Sequence, residues 1–292
     1  MARNTPALGM ILMITTTFIF AIQDGISRHL AGHYNVFMIV MIRYWFFLLF
    51  TVLFYMRTKG GLAAVVHSSR PWLQFFRGAL LALEILLMIT AFVRLGLVAA
   101  PAIFSVSPLL VTALSGPILG EKIGLGRWSL VMVGFAGVLI IIQPGSGLFT
   151  FDSIFAIGGA FCYALYGLLN RYVAQFDRAE TTFFYTGLAG AVLTTMIGMW
   201  HWEAMLPIDW FWLGVLCAIS LTGHFLLIKA YEVAEAAAIQ PFAYFQLPFS
   251  AVLGVFIFGD LIKLNVFVGA LIVVGAGVIT FLRTHKRRAQ VV

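Results

Sequence analysis

The chain has 292 residues, 62% of them hydrophobic and only 10% charged, with a mean hydropathy of +1.02. That composition offers too little polar surface to cover a water-soluble globule of this length, so lipid is the solvent it implies. The formal charge of +7 is spread over short connectors and a terminal tail rather than gathered in one stripe, which fits membrane topology and argues against a nucleic-acid partner.

Apolar runs of about 17 to 25 residues predict ten membrane helices, over residues 8–30, 35–56, 71–94, 98–119, 126–143, 152–173, 180–200, 209–231, 236–258 and 265–283. The connectors are too short for a soluble domain. The expected fold class is therefore all-α integral membrane, a bundle whose backbone polar groups are satisfied within helices or across a cavity. The first span has the charged flank and apolar stretch of a signal peptide, but it lacks a small-residue cleavage site and carries Asp24, so it reads as a membrane helix. Cys162 and Cys217 lie inside apolar spans, with neither CxxC nor metal-ligand spacing, and read as packing residues.

Lysine and arginine set the expected orientation. With a cytoplasmic N-terminus, the inner side collects Arg3, Arg57, Lys59, Arg70, Arg77, Lys122, Arg127, Arg171, Arg178, Lys229, Arg283, Lys286, Arg287 and Arg288, fourteen of the 18 basic residues. The outer side receives Arg28, Arg94 and Lys263, and Arg43 falls within a span. Both termini are expected inside, and the tail at 284–292 reads as a basic anchor facing anionic lipid.

The chain also repeats itself. Pro101 and Pro108 precede Gly120-Glu121, and Pro241 and Pro248 precede Gly259-Asp260, with the same spacing between the prolines of each pair. Phe20-Ala21 leads to Arg28 as Tyr163-Ala164 leads to Arg171, and Ala91-Phe92 precedes Pro101 much as Ala230-Tyr231 precedes Pro241. Proline-interrupted apolar helices that occur twice are the pattern of a secondary transporter built from two related halves. Because each half has an odd number of spans, the second enters the membrane in the opposite sense, giving two inverted five-helix repeats.

On these residues the sequence resembles the paired EamA-type repeats of the drug/metabolite transporter superfamily, over residues 8–143 and 152–283. Among bacterial members it is most similar to the YddG-type amino-acid exporters. The resemblance implies a central cavity lined by spans 1 to 4 and 6 to 9, with spans 5 and 10 peripheral. It also implies a transporter of the bacterial inner membrane that works without a cofactor and exports a small molecule, aromatic and other neutral amino acids, by alternating access. A carrier of another metabolite or of a cationic drug is the alternative within the superfamily. The departure is Asp260, where the usual acid is Glu: the charge is kept and the reach is shorter.

Charges inside a membrane helix are costly unless paired or hydrated, which makes them candidates for function. At about 1.5 Å per residue, Asp24, Arg43 and Glu84 share a depth band roughly 9 to 15 Å below the outer surface. Arg43 is expected to pair with Asp24 or Glu84, leaving the other carboxylate for a substrate ammonium or a proton; the alternative is a buried ion pair that only fixes packing. His224 lies about 10 Å above the cytoplasmic end of its span and reads either as a proton-coupling group or as a hydrogen-bonded helix residue. Lys229 can snorkel to water. Pro108 and Pro248 each remove a backbone hydrogen bond and, with Pro101 and Pro241, mark helix breaks or hinges. Ser105, Ser107, Tyr244 and Gln246 sit beside these breaks and can bond a zwitterion, while Tyr163, Tyr166 and Phe20 can form an aromatic wall. Gln23, Asn170 and Gln240 need partners and can instead bridge helices.

Neither HExxH nor GxxxxGK[ST] occurs, no His/Cys cluster has metal-ligand spacing, and Gly145-Ser146-Gly147 lies in a loop. ATP hydrolysis by this chain is thereby excluded, and an intramembrane lipid-modifying enzyme has no visible catalytic constellation. A cysteine placed at Ser146 is expected to react with an impermeant thiol reagent from the outer face, and labelling from the cytoplasmic face alone would overturn the orientation.

Overall fold

A computed structural model describes residues 6–57, 61–120, 125–143, 151–234, 239 and 242–289, and the described chain is helical without strands. The helices are α1 (Pro6–Ala31), α2 (Val36–Met56), α3 (Ala63–Val66), α4 (Pro71–Phe104), α5 (Ser107–Leu119), α6 (Leu125–Ile142), α7 (Ser153–Val173), α8 (Ala179–Gly198), α9 (Pro207–Val233), α10 (Gln246–Phe258) and α11 (Leu264–Ala289), with a 3₁₀ turn at Met199–His201. Six of them, α1, α2, α4, α7, α8 and α9, are long and apolar enough to cross a membrane, and four shorter apolar helices lie in α5, α6, α10 and α11. Their outer faces are lipid surfaces. Leu49, Phe50, Leu53 and Phe54 of α2 stand exposed, and exposed tryptophans cluster at helix ends, at Trp72, Trp128, Trp200, Trp202 and Trp210, the interfacial position that suits an amphipathic ring.

A straight α4 of 34 residues would run about 51 Å, well beyond a hydrocarbon core of about 30 Å. The helix is broken at Gly96, whose φ of 82° and ψ of 175° are not helical. The break falls between the expected spans 71–94 and 98–119. It is held from outside the helix: Asp260 Oδ2 accepts the Leu97 N–H at 2.7 Å, and the same carboxylate receives Arg28 in a bidentate pair, Nη1 on Oδ2 at 2.7 Å and Nη2 on Oδ1 at 2.9 Å. Arg28 in turn lies 4.5 Å over the Phe258 ring. One carboxylate thus joins α1, the α4 break and the end of α10.

The expected span 98–119 is itself interrupted. Ser105 and Val106 separate α4 from α5, with the Ser105 N–H on the Pro101 carbonyl at 2.9 Å and the Val106 N–H on Ile103 at 3.2 Å. Pro108 cannot donate to the Phe104 carbonyl, so the ladder has a natural gap there. A matching turn at Tyr244–Phe245 precedes α10, but there the Leu247 N–H takes the Tyr244 carbonyl at 3.1 Å. The orphan carbonyl expected at Pro248 is thus satisfied, and Pro248 itself is exposed. Both repeated glycines terminate their helices in the left-handed region, Gly120 at φ 73° and Gly259 at φ 68°, which explains the glycine of each pair. Pro241, Gln240, Glu121 and the Gly145-Ser146-Gly147 loop lie outside the described residues, as do the side chains of the basic tail.

The links on the opposite end are tied by Asp177, which accepts from the Ser68 hydroxyl, the Ser69 N–H at 3.0 Å and Gln74 Nε2 at 2.9 Å. Partial burial opposes ionisation of Asp177, but these hydrogen bonds outweigh it and hold its carboxyl below the ordinary 3.8.

Gly96→Ala is expected to destabilise the protein by about 1–3 kcal/mol, because a side chain at positive φ is strained and the added Cβ would lie 3.0 Å from Asp260 Oδ2. Thermal unfolding in detergent checks this, and an unchanged Tm would show that the break does not need glycine.

Candidate functional site

Helix α1 turns one face to the interior, with Met13, Thr16, Thr17, Phe20, Gln23, Asp24 and Ser27 at three- and four-residue spacing. Two chambers lie along that face. The first, of about 40 Å³, is lined by Gln23, Asp24, Ser27, Arg43, Glu84, Ile85, Met88, Ile89, Phe92 and His224. The second, of about 20 Å³, is lined by Thr16, Thr17, Pro101, Ser105, Ser107, Pro108 and Tyr244. Phe20, Phe104, Tyr163 and Gln246 line both and form the wall between them. Ligand pockets usually measure about 300 Å³ or more, so these two chambers have room for water and none for a metabolite.

The charges of the first chamber do not pair as expected. Arg43 makes no ion pair with Asp24 or Glu84; its Nη2 donates to Gln23 Oε1 at 3.3 Å and to His224 Nε2 at 3.0 Å. An arginine has only donors, so Nε2 of His224 is unprotonated and the ring is neutral with its proton on Nδ1. Arg43 Nη1 and His224 Nδ1 are buried with no partner, two donors unused. Asp24 Oδ2 accepts from Gln246 Nε2 at 2.8 Å, a bond from α10 to α1. Glu84 is buried at 8% exposure and has no hydrogen bond or ion pair among the described residues; its charged neighbours are Asp24 and Arg43. The chamber therefore contains one more carboxylate than it has cations.

Of the other expected site residues, Ser105, Ser107, Tyr244, Gln246 and Tyr163 come together at the chambers, with Pro101 and Pro108 in the lining. Tyr166 does not. It is fully buried one layer away, beneath the Arg77 guanidinium at 5.1 Å. Arg77 corrects a second expectation, since it lies not in an inner connector but in the bundle at 0% exposure. It donates to Gln74 at 3.2 Å, Asn170 at 2.8 Å, the Thr182 carbonyl at 2.5 Å and Thr186 at 2.8 Å. Lys229 pairs with Glu180 at 3.0 Å and Glu232 at 2.9 Å instead of simply reaching for water. Phe104, Ser27 and Thr16 went unrecognised. The helical spacing on α1 from Asp24 back to Phe20 and Thr16, and on to Ser27, is the signal that points to two of them; Phe104 carries none beyond its position between two prolines.

The model of the EamA-like transporter family matches residues 7–143 and 151–282. The chain is 26% identical to a riboflavin transporter of Vibrio cholerae serotype O1, over 99% of this chain and 98% of that one. It is 24% identical to an S-adenosylmethionine uptake transporter of Rickettsia prowazekii, over 94% and 92%, and 25% identical to the pseudopaline exporter CntI of Pseudomonas aeruginosa, over 95% and 97%. A solved crystal structure shares the fold with a TM-score of 0.67 at 15% identity, over 97% of this chain and 99% of that one. These relatives are transporters rather than enzymes, and they are named for different substrates. With two matched copies of the family model spanning nearly its whole length, the chain belongs to the EamA-like transporter family and is a multi-pass membrane transporter.

Proposed function

We propose that this protein is a secondary transporter of the bacterial inner membrane that moves a small zwitterionic metabolite by alternating access, with export of aromatic and other neutral amino acids as the reading taken from the resemblance. The observation that carries it is the first chamber, where Arg43 keeps free donors for a carboxylate while Glu84 stands unpaired to meet an ammonium or a proton. S-adenosylmethionine, the substrate for which one relative is named, falls within the same class through its amino-acid end. The closed volume of the chambers supports a cycle in which helices must part to admit a ligand. The chain carries no ATP-hydrolysing motif, so the driving force is a gradient.

Ten spans in two inverted halves, 8–143 and 152–283, are part of this proposal. Packing supports it: exchanging α1 with α7, α2 with α8, α4 with α9, α5 with α10 and α6 with α11 turns the α1–α9 contact into α7–α4 and the α1–α10 contact into α7–α5. The same exchange leaves α2–α8 and α6–α11 as they are. Under that exchange the helices joined by Arg43 correspond to those joined by Arg77, yet every nitrogen of Arg77 donates to a partner while Nη1 of Arg43 has none. One of the two related nodes is closed and the other is left open to a ligand.

Glu84→Gln is expected to lower flux in proteoliposomes by about 10-fold or more, because Gln keeps size and hydrogen bonding but neither charge nor an exchangeable carboxyl proton. Since Glu84 makes no ion pair, the loss of about 3–5 kcal/mol that follows breaking a buried pair is not expected, and Tm stays close to the parent. Undiminished flux refutes a role for its charge, and lost flux together with lost stability assigns Glu84 to structure.

A further inference from the structure

We infer that the two chambers are the two ends of one substrate site, the first for a zwitterionic head and the second for the polar edge of a planar ring, with Phe104 as the movable partition that decides ligand length. This rests on the proposed function above and adds what it leaves open, the part of the ligand beyond its amino-acid end.

The chambers follow one helix face. From Thr16 in the second to Gln23, which holds Arg43 in the first, α1 rises about 10 Å, the reach of tyrosine from its head group to its ring hydroxyl and well beyond that of alanine. Between them stand Phe20, Phe104 and Tyr163, with Phe104 and Tyr163 ring centroids 5.2 Å apart and Phe20 5.0 Å from the His224 ring. Flat rings of this kind can stack on a planar ligand once they separate.

The second chamber is built for hydrogen bonding without being satisfied internally. Thr16 Oγ1 and Tyr244 OH have no partner, although Thr16 is at 0% and Tyr244 at 5% exposure. A buried hydroxyl left unpaired is costly and marks a place where an outside group completes the bond. Phe104 is the wall residue best placed to move: it ends α4 directly before the Ser105–Val106 interruption, between Pro101 and Pro108. Phe20 and Tyr163, by contrast, are held in the middle of α1 and α7.

The test is flux of alanine, phenylalanine and tyrosine into proteoliposomes holding the full chain. Wild type is expected to transport alanine and to favour tyrosine over phenylalanine by about 10-fold in kcat/KM, the ring hydroxyl being what the second chamber bonds. A Thr16→Val/Tyr244→Phe variant should bring the tyrosine-to-phenylalanine ratio of kcat/KM down to about one, and Thr16→Ser with native Tyr244 should keep the preference. Phe104→Ala should narrow the difference in KM between alanine and the ring-bearing ligands. If the double variant does not fold, Tyr244→Phe alone, which removes one oxygen, is read in the same way. Equal wild-type rates for phenylalanine and tyrosine, or variants that lower alanine and tyrosine alike, overturn the bipartite site while leaving the zwitterion reading in place. A wild type that moves none of the three overturns both.

Discussion

In a bundle whose solvent is lipid, each buried cation must find its acceptors on another helix, and that requirement organises this structure. Three arginines meet it, and each ties together three helices. Arg28 with Asp260 joins α1, the α4 break and the end of α10. Arg43 joins α2 to α1 through Gln23 and to α9 through His224. Arg77 joins α4 to α7 through Asn170 and to α8 through Thr182 and Thr186. Only the first uses a carboxylate. The other two rely on neutral acceptors, which leaves the chamber carboxylates Asp24 and Glu84 outside any ion pair.

The two buried nodes differ in how fully they are satisfied. Every nitrogen of the Arg77 guanidinium has a partner in the bundle. Arg43 sits in the corresponding set of helices, beside a chamber, with a donor unused. The Arg28–Asp260 clasp ties together the helices that also supply Asp24, Ser27, Phe92 and Gln246 to the lining.

The helix breaks interrupt the hydrogen-bond ladder beside the chambers. Prolines in α4 and α5 remove donors near Phe104, and Gly96 allows a backbone geometry that no helix contains. Asp260 supplies the acceptor that the first residue after the break needs. Its shorter reach compared with glutamate fits here, since a Cβ at Gly254 would stand only 2.9 Å from its Oδ2 and the carboxylate is packed directly against two glycines.

From the sequence alone, composition determined that the chain is an all-helical membrane protein, and repeated proline and glycine-acid pairs pointed to its family. These are properties of segment chemistry, which hydropathy and spacing record directly. The partners of the buried charges were not legible, because pairing across helices depends on the rotation of each helix about its axis, and depth along the membrane leaves that angle free. Hence Arg43, level with two carboxylates, bonds Gln23 and His224 instead, and Arg77, counted among connector cations, is a fully buried centre of packing. Only the tertiary structure decided which residues share a chamber, for it is the packing angles of α1, α4, α7 and α9 that bring Asp24, Glu84, Tyr163 and His224 together from distant parts of the chain.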